Sequence, residues 1–250
     1  MRIHLASRSP RRRELLGQIG VAFDTMIFRT GERADPETDE TPLPGEDPAA
    51  YVERVARAKA DHGGRIVGWR RLIAQPVLAA DTTLEFAGRI IGKPLDAKDA
   101  EKILGELSGK KHRVLTGVAV HFRGMTEYAL STSEVEFRDM DQEEIRRYVA
   151  TGDPLDKAGA YGIQGRAGIF VRHLAGSYTG VMGLPVCETA NLLKRMGWEF
   201  WGAAPPSPGL PRSCPEAMIP GTISGLPAVA RQFAKWTFPF AVSLAARVGN

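Results

Sequence analysis

The chain has 250 residues, of which 43% are hydrophobic and 25% charged, and its formal net charge is +4. That balance excludes a disordered or low-complexity chain and supplies enough apolar side chain for a core without disulfide or metal staples. No run of 18 apolar residues occurs, MRIHLA passes straight into SRSPRRR, and Cys187 and Cys214 join no CxxC or Cys/His cluster, so the expectations are no spanning helix, no leader, no structural zinc and a reducing compartment.

Residues 2–6 (RIHLA) read as a first strand, after which residues 7–10 turn into a helix. Ser9 suits the N-cap and Pro10 the first helical position, where its missing N–H costs nothing. Leu15, Leu16 and Ile19 form the apolar stripe and Gly20 ends it. Residues 21–28 read as a second strand. Residues 30–48 are polar, acidic and proline-rich, and predict a loop. Asp47-Pro48 opens a helix predicted to run to about Asp61, with Tyr51, Val52, Val55 and Ala56 at helical spacing.

Residues 76–81 (PVLAAD) predict a short apolar strand ending in a carboxylate, and a hairpin follows around Ala87-Gly88. A helix is expected over 97–107, then two β-branched strands over 113–122 and 127–137 joined at Gly124. Residues 141–150 predict a helix, 156–170 a glycine-rich loop, 170–174 a strand, and Gly183-Leu184-Pro185 leads into a last helix ending near Met196. Strands alternating with helices predict an α/β fold. The composition turns proline- and glycine-rich past Glu199, which predicts a domain over 1–199 and an extension over 200–250 that is linker or disordered with a weak helix.

Four groups of residues have the chemistry of a site. Arg8, Arg11, Arg12 and Arg13 crowd the start of the first predicted helix, where cations oppose the helix dipole. A bound phosphate cancels that conflict, because helix N–H groups and guanidinium forks point at it together; the alternative is a solvated basic patch. Asp81, with Thr82 and Thr83 behind it, follows the apolar strand where open α/β sheets place ligands. Metal ligand, general base and plain turn cap are its three readings. Lys93 stands between Gly92 and Pro94 on a stiff loop, either neutralising a phosphate or facing solvent. The loop 156–165 (DKAGAYGIQG) lets backbone approach a ligand closely, and Gln164 offers the donor and acceptor that a base edge needs; the alternative is a structural loop. It is neither a Walker loop nor a Rossmann fingerprint. The histidines form no triad or HExxH pattern, and Glu53 and Arg57 are spaced to pair on a helix face.

ASRSPRRRELL at 6–16, ARAKA at 56–60, LAADT at 78–82, GKP at 92–94, DKAGAYGIQG at 156–165 and GLP at 183–185 stand in the order and spacing of the Maf proteins, which the chain resembles over about residues 2–199. The resemblance implies an α/β fold similar to that of inosine triphosphatase, with a central mixed sheet, flanking helices and two lobes around a cleft. It implies a cytoplasmic, metal-dependent nucleoside triphosphate pyrophosphatase that limits incorporation of unwanted nucleotides. It makes Asp81 the proton acceptor, and the mechanism expected from the residues has Ser7, Arg12, Lys59 and Lys93 binding phosphate and Asp81 with Glu32 holding magnesium or manganese. One branch of the family resembles dTTP/UTP pyrophosphatases, with arginine, threonine and glutamine at three positions that here are Arg11, Thr82 and Gln164. The other, a 7-methyl-GTP pyrophosphatase, is expected to show tryptophan, glutamine and glutamate there, so the expectation is dTTP and UTP. A homodimer is implied by the resemblance alone. The competing expectation is a nucleotide-binding regulator of division with little hydrolysis. No stable nucleic-acid partner is expected, because the basic patch is short and lacks an aromatic platform, and no membrane partner.

Overall fold

Apolar alternation in the middle of the chain builds three long strands that carry the fold. In the computed structural model, which describes residues 2–28 and 39–201, these are β3 (Val77–Phe86), β5 (Lys111–Phe122) and β6 (Met125–Phe137). The chain reaches them through β1 (Ile3–Leu5), α1 (Pro10–Gln18), β2 (Phe23–Thr25) and α2 (Pro48–Trp69). Strand β4 (Arg89–Ile91) and α3 (Ala97–Leu107) lie between β3 and β5; α4 (Gln142–Val149), β7 (Val171–Ala175), α5 (Tyr178–Met182) and α6 (Val186–Arg195) follow β6. One mixed sheet results, ordered β2-β1-β3-β5-β6-β7, with β4 paired to β3. Strand β1 runs parallel to both β2 and β3, and every later pairing is antiparallel.

Because strand residues alternate between faces, the sheet has two apolar sides. Val77 and Ala79 face Ala56, Ala60 and Ile66 of α2. Leu78 and Ala80 face the larger core built with Leu15 and Leu16 of α1, Leu104 and Leu107 of α3, and Leu192 and Leu193 of α6. The α/β fold with helices on both faces of a mixed sheet is the one expected from sequence. Among the described residues no helix is long and apolar enough to cross a membrane.

Several elements depart from the sequence expectation. Helix α2 continues two turns past Asp61, to Trp69. A Gly63-Gly64 pair suggests a break on propensity alone. Here it is a packing device: a Cβ on Gly63 would fall 2.6 Å from Val77 Cγ1, and one on Gly64 would fall 2.2 Å from the His121 ring. Strand β3 likewise does not end at Asp81 but runs to Phe86, so Asp81 lies mid-strand opposite Gly117. The short helix α5 was not anticipated. Of the expected 200–250 extension, residues 202–250 lie outside the described residues, as does Glu32.

The topology leaves one feature that positions the site. Strand β5 covers one edge of β3 from Val77 to Glu85. On the other edge β1 pairs only with Val77 and Leu78, and β4 only with Leu84 to Phe86. Between them the backbone of residues 79–83 has no strand neighbour on that edge, and Asp81 sits in this gap.

Candidate active site

The turn after β1 fills the mouth of the gap. Ser9 caps α1, its Oγ accepting from the Arg12 N–H at 3.5 Å, and Pro10 opens the helix as the sequence suggests. The first turn carries no acidic side chain to offset its dipole. Arg12 then turns inward and is held by three groups. Its Nε donates to the Gly183 carbonyl at 2.8 Å, one Nη to Ser7 Oγ at 3.3 Å and the other to Thr82 Oγ1 at 3.3 Å. A guanidinium has five N–H bonds, so two remain for a ligand. Desolvation in the cleft lowers the Arg12 pKa from its ordinary value, with Arg11 adding to the effect and Asp81 and Glu40 opposing it. Arginine still stays charged, and its burial is offset by these hydrogen bonds.

Two hydroxyls show what this arrangement leaves free. Ser7 Oγ accepts from Arg12 and from the Ser9 N–H at 3.2 Å, so both its lone pairs are engaged and its proton is left to donate. Thr82 Oγ1 accepts from Arg12 and lies 3.0 Å from Thr116 Oγ1, which itself donates to the Gly180 carbonyl at 2.8 Å. Thr116 has spent its proton on Gly180, so Thr82 donates to Thr116. A directed chain therefore runs from Arg12 through Thr82 and Thr116 to the backbone of α5.

The opposite face of β3 carries the carboxylate. Asp81 points toward α2, where Lys59 Nζ lies 2.9 Å from its Oδ1. Gly117, opposite Asp81, makes room for α2: a Cβ there would fall 2.6 Å from Val52 Cγ1 and 2.8 Å from the Tyr128 ring. Side-chain exposure is 10% for Asp81 and 14% for Lys59, so this pair is largely withdrawn from water. The same Lys59 Nζ also lies 2.8 Å from Glu40 Oε1.

Ser7, Arg12, Thr82, Lys59 and Glu40, but not Asp81 or Thr116, line a single cleft of about 1210 Å³. Ser7, Arg8, Arg11 and Arg12 line it from the α1 turn, Lys59 from α2, Thr82 from β3, Lys93 from the loop after β4, and Gln164 from the glycine-rich loop. Arg13, the last of the basic run, is exposed and is not part of the lining. Lys93 and Gln164 are brought together because the Gly159 N–H donates to the Gly92 carbonyl at 2.9 Å, tying their two loops. Gly159 takes φ +70, and a Cβ there would meet Leu84 Cδ1 at 2.3 Å, so this tie requires glycine. The Nε of Arg11 is buried and has no hydrogen-bond partner among the described residues. That is costly unless a ligand accepts from it.

Sequence reasoning gave no individual role to Glu40, Asp156, Lys157 and Tyr161, which line the cleft. Glu40 lies in a stretch whose acidity reads as solvation. Lys157, in the quoted loop motif, is held by Asp153 Oδ1 at 3.0 Å and Asp156 Oδ1 at 2.6 Å. Although burial works against it, Lys157 and Arg11 hold the Asp156 carboxyl below its usual range. Tyr161 forms a wall of the cleft, its hydroxyl 2.8 Å from His112 Nε2 and its ring edge-on to those of His112 and Phe137. Burial pushes the Tyr161 hydroxyl up and pulls His112 down to about 4, so at neutral pH both are uncharged. Only the Asp153–Lys157 spacing of four left a sequence signal.

The described residues contain no group of three or more His, Cys, Asp or Glu side chains arranged to hold a metal ion. Among the described residues, Asp81 and Glu40 are the two carboxylates that share Lys59. Such a pair suits a hard divalent cation that takes one or two carboxylates and completes its shell with substrate phosphate and water.

A family model described as "Maf-like protein" matches residues 2–196. A protein of Dechloromonas aromatica named dTTP/UTP pyrophosphatase is 72% identical over 198 residues, covering 79% of this chain and 98% of its own. Proteins of the same name from Aromatoleum aromaticum and Chromobacterium violaceum are 60% and 52% identical, over 79% and 80% of this chain and 96% of each of theirs. Among solved structures, that of the Staphylococcus aureus Ham1 protein is similar at a TM-score of 0.43 and 16% identity, over 78% of this chain and 97% of that one.

Proposed function

The chain belongs to the Maf family, and on that premise we propose that it hydrolyses dTTP and UTP to the nucleoside monophosphate and pyrophosphate. The observation that carries the reading is the pairing of Asp81 with Lys59 beside a cleft that gathers Ser7, Arg11, Arg12, Lys93 and Gln164. Relatives that bear the name dTTP/UTP pyrophosphatase are up to 72% identical to it, and Arg11, Thr82 and Gln164 match the three residues that the resemblance assigns to that branch.

In this reading the triphosphate enters with its phosphates toward the α1 turn. Ser7 donates its free proton, Arg12 its two uncommitted N–H bonds, and Arg11 its unpaired Nε. Lys93 and Lys59 add charge from the facing side. Donors held in place before the substrate arrives need not reorganise as charge moves, which is the main source of stabilisation in phosphoryl transfer. Asp81 takes a proton from the water that attacks the α-phosphorus. The new P–O bond forms as the bond from the α-phosphorus to the α,β-bridging oxygen breaks, and pyrophosphate leaves. Asp81 and Glu40, with Glu32 beyond the described residues, would hold magnesium or manganese, which when bound neutralises phosphate oxygens. Gln164 meets the base, and Tyr161 supplies a flat wall beside it.

The test is pyrophosphate release from dTTP, UTP, CTP, GTP, ATP and 7-methyl-GTP, with magnesium or manganese, for the wild-type protein and for Asp81→Asn. Fast release from dTTP and UTP is expected, with turnover in the variant reduced by about 10² to 10⁴, the range of a lost general base. Near-normal turnover by Asp81→Asn would sink the mechanism. Release from 7-methyl-GTP alone would reject the substrate. No release from any of the six would favour a nucleotide-binding regulator.

A further inference from the structure

Among the described residues, Lys59 is the one cleft cation held by two carboxylates from different parts of the chain, Asp81 on β3 and Glu40 on the loop ahead of α2. The two differ in setting. Asp81 is fixed in a strand and largely buried, whereas the Glu40 side chain is 56% exposed. Yet the backbone that presents Glu40 is tied down. Tyr51 Oη donates to the Glu40 carbonyl at 2.9 Å, and Arg54 donates to the carbonyls of Asp39 and Thr41 at 3.3 and 3.0 Å. Arg54 is itself braced by both oxygens of Glu46, at 2.7 and 2.8 Å. Burial, with the charges of Asp81 and Glu40, pushes the Tyr51 hydroxyl up to about 12, which keeps it a donor at every physiological pH. Tyr51, Arg54 and Lys59 all stand on α2. One helix therefore holds both the strap and the lysine that the strap's carboxylate meets.

We propose that Glu40 holds on Lys59 the place that a phosphate oxygen of the substrate takes, so that it competes with the substrate from within the chain and sets its affinity. This rests on the function proposed above. An exposed carboxylate on a loop is a weak partner, worth little in net stability. A polyphosphate with several charges displaces it, while the buried Asp81 contact stays. Glu40 also stands close enough to Arg12 to act on its charge, so an arriving phosphate meets a like charge at its docking point until Glu40 moves aside. Glu40 is a positioning residue in this scheme, acting through Lys59, and its release on binding leaves a second carboxylate near Asp81.

The test is binding of inorganic tripolyphosphate by calorimetry in EDTA, which removes metal ligation from the measurement, for wild type, Glu40→Gln, Lys59→Ala and the double variant. Glu40→Gln should bind about two- to fivefold more tightly than wild type, the span expected from freeing one partner of an exposed ion pair. The gain should vanish in the Lys59→Ala background, where there is nothing to compete for. Unchanged or weaker binding by Glu40→Gln overturns the proposal, and so does a gain that persists without Lys59. No tripolyphosphate binding by any variant, with dTTP hydrolysis intact, also overturns it. Absence of hydrolysis by the wild-type protein would instead strike the function proposed above.

Discussion

Arg12 and Thr82 are 70 residues apart, and the Arg12 guanidinium donates to the Thr82 hydroxyl at 3.3 Å. This one contact joins the turn that opens α1 to the central strand. Because the Thr82 hydroxyl donates a hydrogen bond to Thr116, and Thr116 donates to the Gly180 carbonyl, the orientation of Arg12 depends on a line of hydroxyls that itself ends on backbone.

Replacing Thr82 by valine keeps the volume and removes the acceptor. A hydrogen bond to a charged group contributes about 1.5–3 kcal/mol, so kcat/KM should fall by about tenfold or more. If the hydroxyl acts through Arg12, the loss is the same for dTTP, UTP and CTP. A changed ratio among the three nucleotides would instead show that the hydroxyl reads the base. Thr116→Val should reproduce a smaller loss without touching the cleft.

The glycines of α2 separate packing from propensity. Gly64→Ala places a methyl 2.2 Å from the His121 ring, and overpacking of this kind costs about 1–3 kcal/mol. Gly68→Ala, five residues from Gly63 on the same helix, meets nothing within 4 Å and should be neutral or stabilising by up to about 1 kcal/mol. Urea unfolding of the two variants checks this. Equal midpoints would mean that α2 does not lie as close to β5 as described.

His112 makes stability fall in mild acid. Its folded pKa is pulled down to about 4 by burial, from an ordinary value of 6.5. The stability it confers is complete above 6.5, where the ring is neutral in both states. Between 6.5 and 4 the unfolded chain binds a proton that the folded chain does not, so stability declines through that window, by about 3 kcal/mol in all. Thermal unfolding of wild type and His112→Gln at pH 7.5 and pH 4.5 tests this. The wild type should lose more stability between the two than the variant. Parallel losses would show that this histidine does not set the acid limb.

Much of the molecule is legible in the sequence because helix ends are local. Ser9 caps α1, and Asp47, Asp96 and Asp141 cap α2, α3 and α4, each through hydrogen bonds spanning two or three residues. Such bonds need only a side-chain oxygen at the right offset. The same holds for the turn at Gly124, where φ is +80, and for the hairpin at Ala87-Gly88. The motifs that carry the family resemblance likewise named Ser7, Arg11, Arg12, Lys59, Thr82, Lys93 and Gln164, all of which line one cleft.

What tertiary structure alone decides is how those short pieces meet. Asp81 sits mid-strand because β5 pairs with β3 along nine residues, and it borders a gap because β1 and β4 share the other edge without touching residue 81. Arg12 faces inward because it finds Gly183, 171 residues away. Glu40 reaches Lys59 because Tyr51 and Arg54 hold its loop against α2. Each of these depends on close packing between distant segments, whose energies are set by shape and burial rather than by any spacing along the chain.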